Sequence, residues 1–202
     1  MGSIIGFIIR GQIRNEGIDI SIREDLAITN KNIMLTGFMG SGKTTVGCLL
    51  AELTGQVFLD ADREIEHKYG MPITEIFQKA GEAAFRQMER EYMLGLCRNE
   101  RQTIVSLGGG AFMQEEIRDA CLSSSLVVFL DIGWDAWQER HQLLMETRPL
   151  LQSKSLEEIR KLFEARREIY ALSHLTVLTD DLTPEEIAER ILRACSLIEG
   201  GE

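Results

Sequence analysis

From residue 32 onward the chain alternates short apolar runs with longer stretches in which apolar positions recur every three or four residues. The short runs, Ile33 to Thr36, Val57 to Leu59, Thr103 to Leu107, Leu126 to Leu130 and Leu175 to Leu178, have the length and side-chain types of strands. The longer stretches predict helices at 43–54, 62–69, 73–99 with a break at Gly81, 114–121, 134–146, 156–172 and 184–198. Such alternation predicts a doubly wound α/β domain, a parallel sheet covered by helices on both faces. Ligands of these sheets bind beyond the carboxyl ends of the strands, so the residues that follow each strand are the first to question. The pattern differs before residue 32, where Ile18, Ile20 and Ile22 alternate with Asp19, Ser21 and Arg23. That period of two fits a short accessory strand or hairpin, and a flexible extension or interface element fits equally. Residues 1–31 are therefore set apart as an extension without an assigned role, and residues 32–202 as the domain.

Composition narrows the classes. The chain has 202 residues, 44% of them hydrophobic, with 22 Lys+Arg against 32 Asp+Glu and a formal net charge of -10. That balance is the wrong footprint for a partner with a phosphate backbone, and it means that cations must be gathered locally if the substrate is an anion. Cys48, Cys97, Cys121 and Cys195 form no C-x-x-C pair and have no histidine at zinc-finger spacing, as expected of reduced thiols. No apolar run approaches the ~20 residues of a membrane span. The run from Ile4 to Ile9 is short for a signal-peptide core and has no basic flank. The expectation is a soluble, cytoplasmic protein, acting as a monomer, with neither nucleic acid nor membrane as partner.

Candidate chemistry begins directly after the first strand of the domain. Gly37-Phe38-Met39-Gly40-Ser41-Gly42-Lys43-Thr44 matches G-x-x-x-x-G-K-[ST] between a strand and a helix. Glycines there let the backbone curl so that N–H groups face phosphate oxygens, and the following helix adds its positive end. Gly40, Ser41, Gly42, Lys43, Thr44 and Thr45 form the expected nucleotide-binding set, with Lys43 reaching the β- and γ-phosphates and Thr44 ligating Mg²⁺. Thr45 stands where G-x-G-x-x-G would need its last glycine, which disfavours hydride chemistry.

The second strand of the domain runs into Asp60-Ala61-Asp62. On an extended segment the two carboxylates project on one face beside the nucleotide site, so one could hold Mg²⁺ while the other orients a substrate hydroxyl and takes its proton. Asp62 also fits a helix N-cap. Arg86 lies in a polar helix within reach of Glu82 and Glu89, where a solvated ion pair is the plain reading, and Arg166 and Arg167 sit in a similarly charged helix. Gly108, Gly109 and Gly110 at a strand end allow close approach of backbone to a ligand, or simply a tight turn.

Taken in order, GFMGSGKTTVG, FLDAD, GEAAFRQME, VSLGGGA, RPLL and ARREIY resemble the successive motifs of the shikimate kinase family from about Ile33 to Leu192. The resemblance implies a P-loop kinase related to nucleoside-monophosphate kinases, with a five-stranded parallel sheet, a helical substrate-binding region and a lid at about 145–155. It implies ATP-dependent phosphorylation of the 3-hydroxyl of shikimate, in aromatic amino acid biosynthesis, with Mg²⁺. By the same resemblance Asp62 binds the shikimate hydroxyls and serves as base, and Asp60 lies near Mg²⁺. Arg86 and Arg166 clamp the substrate carboxylate, Gly108, Gly109 and Gly110 supply backbone contacts, and Arg148 is the lid arginine that reaches the transferring phosphate. Two departures leave alternatives: Arg140 and His141 both stand near the position that stacks on adenine, and Arg167 with Glu168 follows Arg166 where the family has a proline before its tyrosine. A related sugar-acid kinase, such as a gluconate kinase, and a silent nucleotide-binding module are the alternatives. A GTPase switch is disfavoured, because Asn30-Lys31 precedes the P-loop and no N-K-x-D follows it.

Overall fold

The structure, a computed structural model, describes residues 12–15, 18–21, 31–99, 102–145 and 155–199. Apolar runs become strands where expected. They are β3 (Asn32–Thr36), β4 (Val57–Asp60), β5 (Thr103–Ser106), β6 (Ser125–Asp131) and β7 (Leu175–Leu178), all parallel and ordered β7-β6-β3-β5-β4. Among the described residues the helices are α1 (Lys43–Thr54), α2 (Ala61–Tyr69), α3 (Ile73–Asn99), α4 (Glu115–Ser124), α5 (Trp134–Met145), α6 (Leu156–Tyr170) and α7 (Pro184–Glu199), with a 3₁₀ turn at Ala111–Met113. Gly81, at φ 82° and ψ 169°, kinks α3 at the predicted break.

The alternation along β3 explains why two helical layers form. Met34 joins Val105, Val127 and Phe129 in a core closed by Met93, Ile117, Trp137 and Phe163. Ile33 and Leu35 point the other way and join Ile104, Val128 and Leu130 beneath Val46 and Leu50 of α1 and Ile187 and Ile191 of α7. A smaller cluster of Ile65, Ile76 and Phe85 fixes α2 against α3. Because β3 is central and its neighbours β5 and β6 come later in the chain, the crevice at its carboxyl end is the switch point where doubly wound sheets bind ligands.

The sheet extends beyond these five strands. Two strands from the extension, β1 (Gln12–Asn15) and β2 (Ile18–Ser21), form a hairpin whose second strand pairs antiparallel with β7. The accessory hairpin suggested by the alternation at Ile18 and Ile20 is thus present, while Ile22 lies outside the described residues. Two further differences are local. The helix expected from residue 62 begins at Ala61, capped by Asp60, and the one expected from 114 begins at Glu115 and runs on to Ser124. No disulfide joins the four cysteines; Cys97 and Cys121 pack Sγ to Sγ at 3.8 Å. Among the described residues no helix is long and apolar enough to cross a membrane.

Candidate active site

The loop after β3 is built to hold an anion. Gly37 (φ 143°) has no room for a side chain, since a methyl group there would stand 2.7 Å from the Leu130 carbonyl oxygen and 2.9 Å from Ser41 Oγ. Gly42 starts α1 at φ 92°, and the first turn holds no acidic side chain, which leaves the positive end of the helix to a ligand. Lys43 lies across the loop, its Nζ donating to the carbonyls of Gly37 (2.8 Å) and Phe38 (3.1 Å). Ser41 Oγ, beside Gly37, is buried and makes no hydrogen bond among the described residues, an unsatisfied polar atom within the loop.

The variable positions of the loop anchor it. Phe38 packs edge-on against Trp137 and Phe163, and Trp137 Nε1 donates to the Met39 carbonyl at 2.9 Å. Nothing in the local sequence marks Trp137 for this, because the hydrogen bond spans 98 residues.

Asp60 and Asp62 do not share one face of an extended segment. Asp60 is extended and caps α2, accepting from Arg63 N at 3.4 Å, whereas Asp62 lies in the first helical turn. The cap is therefore Asp60, and the helix turns the two carboxylates apart. Asp60 Oδ2 accepts from Thr44 Oγ1 at 3.1 Å, so a hydroxyl and a carboxylate meet at the loop, a hard oxygen donor set suited to Mg²⁺. Asp62 turns instead toward the glycine run: a methyl group on Gly108 would collide with Asp62 Oδ1 and stand 3.0 Å from Glu89 Oε1.

That glycine run is where the predicted substrate residues meet. A methyl group on Gly110 would lie 2.5 Å from Arg86 Nη1, and one on Gly109 would lie 3.5 Å from Arg166 Nη1. Both arginines and Asp62 thus converge on three consecutive residues without side chains. The ion pairs foreseen for Arg86 also form, to Glu89 at 2.7 Å and to Glu82 at 3.2 Å. Glu89 is 1% exposed, and burial pushes its carboxyl above the usual range against the opposing pull of Arg86. Burial opposes the Arg86 charge, but the Glu89 and Glu82 carboxylates together outweigh it and hold the guanidinium above its ordinary value.

Arg166 and Arg167 are separated by their place on α6. Arg166 lies over the Phe38 ring, 5.9 Å from its centroid, beside Gly109. Arg167 forks onto Asp131 at the end of β6, with contacts of 2.7, 2.9 and 3.2 Å. Tyr170, one turn on, donates its hydroxyl to the Gly109 carbonyl at 2.7 Å and is pushed up to about 12 by burial, against the neighbouring Arg166 charge. Glu89, which accepts from Gln114 Nε2 at 2.7 Å, and Tyr170 join the site without any local signal in the sequence. Arg148 and the residues 146–154 of the expected lid lie outside the described residues, as do the side chains of Arg140 and His141. α6 starts from a capping box, in which Ser155 N donates to Glu158 and Glu158 N to Ser155 Oγ.

A five-stranded parallel core with a phosphate loop at its switch point and an arginine-lined glycine run beside it defines a P-loop phosphotransferase. A family model described as shikimate kinase matches residues 39–196. The chain belongs to the shikimate kinase family. It is 48% identical over 178 residues to the shikimate kinase of Bacillus pumilus (strain SAFR-032), covering 88% of this chain and 96% of that one. It is 50% identical over 171 residues to that of Bacillus licheniformis, covering 85% and 97%. A solved shikimate kinase from Acinetobacter baumannii in complex with shikimate superposes with a TM-score of 0.77 at 35% identity, covering 85% of this chain and 96% of that one.

Proposed function

We propose that this chain transfers the γ-phosphoryl group of ATP to the 3-hydroxyl of shikimate, giving shikimate 3-phosphate and ADP for aromatic amino acid biosynthesis. The observation that carries this reading is the convergence of Arg86, Arg166 and Asp62 on Gly108 to Gly110, next to the phosphate loop. Two guanidinium groups facing an open backbone suit a carboxylate, and a carboxylate beside them suits the hydroxyls of the same ring. Membership of the family and the shikimate named with the Acinetobacter baumannii structure supply the substrate's identity.

The chain's own groups divide the work. Backbone N–H groups of Gly40 to Thr45 and the Lys43 ammonium hold the β- and γ-phosphates. Asp62 orients the 3-hydroxyl and accepts its proton as oxygen bonds to the γ-phosphorus and the bond to the β–γ bridging oxygen breaks. Arg86 and Arg166 fix the ring by its carboxylate, and Arg148 would offset charge on the transferring group. Thr44 and Asp60 would hold Mg²⁺, which when bound would neutralise charge on the phosphates. Arg86, Arg166, Asp62 and the phosphate loop meet within a single copy, which favours a monomer. The test is ADP release by the full chain with ATP and Mg²⁺, supplied with shikimate, gluconate or neither. Shikimate-dependent release is expected; release driven by gluconate, or by neither compound, overturns the reading.

A further inference from the structure

Gln114 occupies the N-cap of α4 yet its side chain makes no bond to the helix, at a position that favours a short acceptor such as Ser or Asp. Its Nε2 instead donates to Glu89 Oε2 at 2.7 Å, across 25 residues of chain. The same oxygen accepts from Arg86 Nη1 at 2.7 Å. Arg86 has a second carboxylate within reach: Glu82, one turn earlier on α3, at 3.2 Å, whose side chain is 66% exposed against 2% for Glu89. One glutamate draws the guanidinium inward and the other draws it toward solvent.

We propose that Gln114 is a positioning residue, which by fixing the Glu89 carboxylate holds Arg86 against Gly110. The choice of a carboxamide follows from the charges around it. Glu89 faces Arg86 on its own helix, Asp62 from α2, and Gln114 from the start of α4. Burial and the Asp62 charge favour a protonated Glu89, whereas Arg86 and the Gln114 hydrogen bond favour the anion. A cation at position 114 would compete with Arg86 for Glu89, and a carboxylate there would repel it. A neutral donor sustains the anion and leaves the positive charge of Arg86 for the ligand.

The proposal rests on Arg86 binding the substrate carboxylate, so its test needs one readout that depends on substrate and one that does not. Gln114→Ser supplies a helix cap and removes the donor; Gln114→Met removes the donor at nearly constant length. In both, KM for shikimate is expected to rise about five- to tenfold, less than for the direct loss of a hydrogen bond to a charged group because the effect reaches Arg86 only through Glu89. KM for ATP and kcat should stay within about twofold, because Arg86 acts on binding remote from the reacting hydroxyl. For Gln114→Ser, Tm should match or exceed that of the unsubstituted chain, which separates positioning from a structural role. Without substrate, the carbon-13 resonance of the Glu89 carboxyl should titrate at higher pH in both variants. An unmoved titration overturns the role of Gln114 whatever the kinetics show, and a moved titration with an unmoved KM overturns the link to Arg86. If the unsubstituted chain shows no shikimate-dependent ADP release, the functional reading falls and the Glu89 titration still decides the role of Gln114.

Discussion

Arg166 and Arg167 are adjacent in sequence, and a helix sends adjacent side chains about 100° apart. One consequently faces Gly109 and the Phe38 ring while the other grips Asp131, which is 6% exposed at the end of β6. Arg166→Ala should raise KM for shikimate by on the order of 100-fold, the loss of a charge-assisted pair, with Tm little changed. Arg167→Ala should do the reverse: Asp131 loses its cation and stability drops by about 1 kcal/mol, with a small change in KM. Steady-state kinetics and thermal melts on both variants check this, and equal effects on KM would refute the division. At Asp62 the expectation concerns turnover. Asp62→Asn keeps the size and loses the proton acceptor, so kcat should fall by roughly 10²- to 10⁴-fold while nucleotide affinity, read by calorimetry, holds. The phosphate loop was legible as a motif, whereas Arg86 and Arg166 read locally as solvated cations and stood out only by resemblance to the family's motifs. The arrangement of the carboxylates was not legible: Asp60 and Asp62 were read on one extended face, and the start of α2 at Ala61 puts them on different tasks.

Between elements, the contact of α1 with β4 shows how packing places the phosphate loop. Gly47 lies on the buried side of α1, and a methyl group there would run into the Phe58 ring of β4 and stand 3.3 Å from Leu35. Gly47→Ala should therefore push α1 off the sheet and cost about 1–3 kcal/mol of stability, as overpacking generally does. Since the first residues of α1 are Lys43 and Thr44, the same shift should weaken ATP binding more than shikimate binding. Urea melts and separate KM values for the two substrates measure both effects. Elements of this kind were legible because alternate residues of each buried strand feed opposite cores, leaving continuous apolar runs between helical patterns. What stayed hidden were pairings over distance. Gln114 meets Glu89 across 25 residues, Tyr170 meets Gly109 across 61, and Trp137 meets Met39 across 98. No window of sequence contains both partners, so these contacts emerge only once the sheet has set the order of its strands.

For the whole molecule, a net charge of -10 describes the surface and not the cleft, where Lys43, Arg86 and Arg166 gather at the carboxyl ends of β3 and β5. The hairpin β1–β2 stands at the far side of the same sheet. It pairs with β7, which is separated from β3 by β6, so it reaches the phosphate loop only through two intervening strands. Its effect should be on stability and association and not on chemistry. Removing residues 1–31 strips β7 of its antiparallel neighbour and leaves a row of N–H and C=O groups without the ladder that satisfied them. The loss should be about 2 kcal/mol, or roughly 4–8 °C in Tm for a chain of this size. Unpaired, the β7 edge is also a template for a second chain, so the shortened protein should associate more readily as its concentration rises. With the site's groups all carried by elements from β3 onward, kcat and both KM values should stay within about twofold. Calorimetry, light scattering and steady-state assays on the two lengths test the three claims separately. A large fall in kcat without a fall in Tm would mean that the hairpin acts on the site through the sheet, against the separation that the strand order implies.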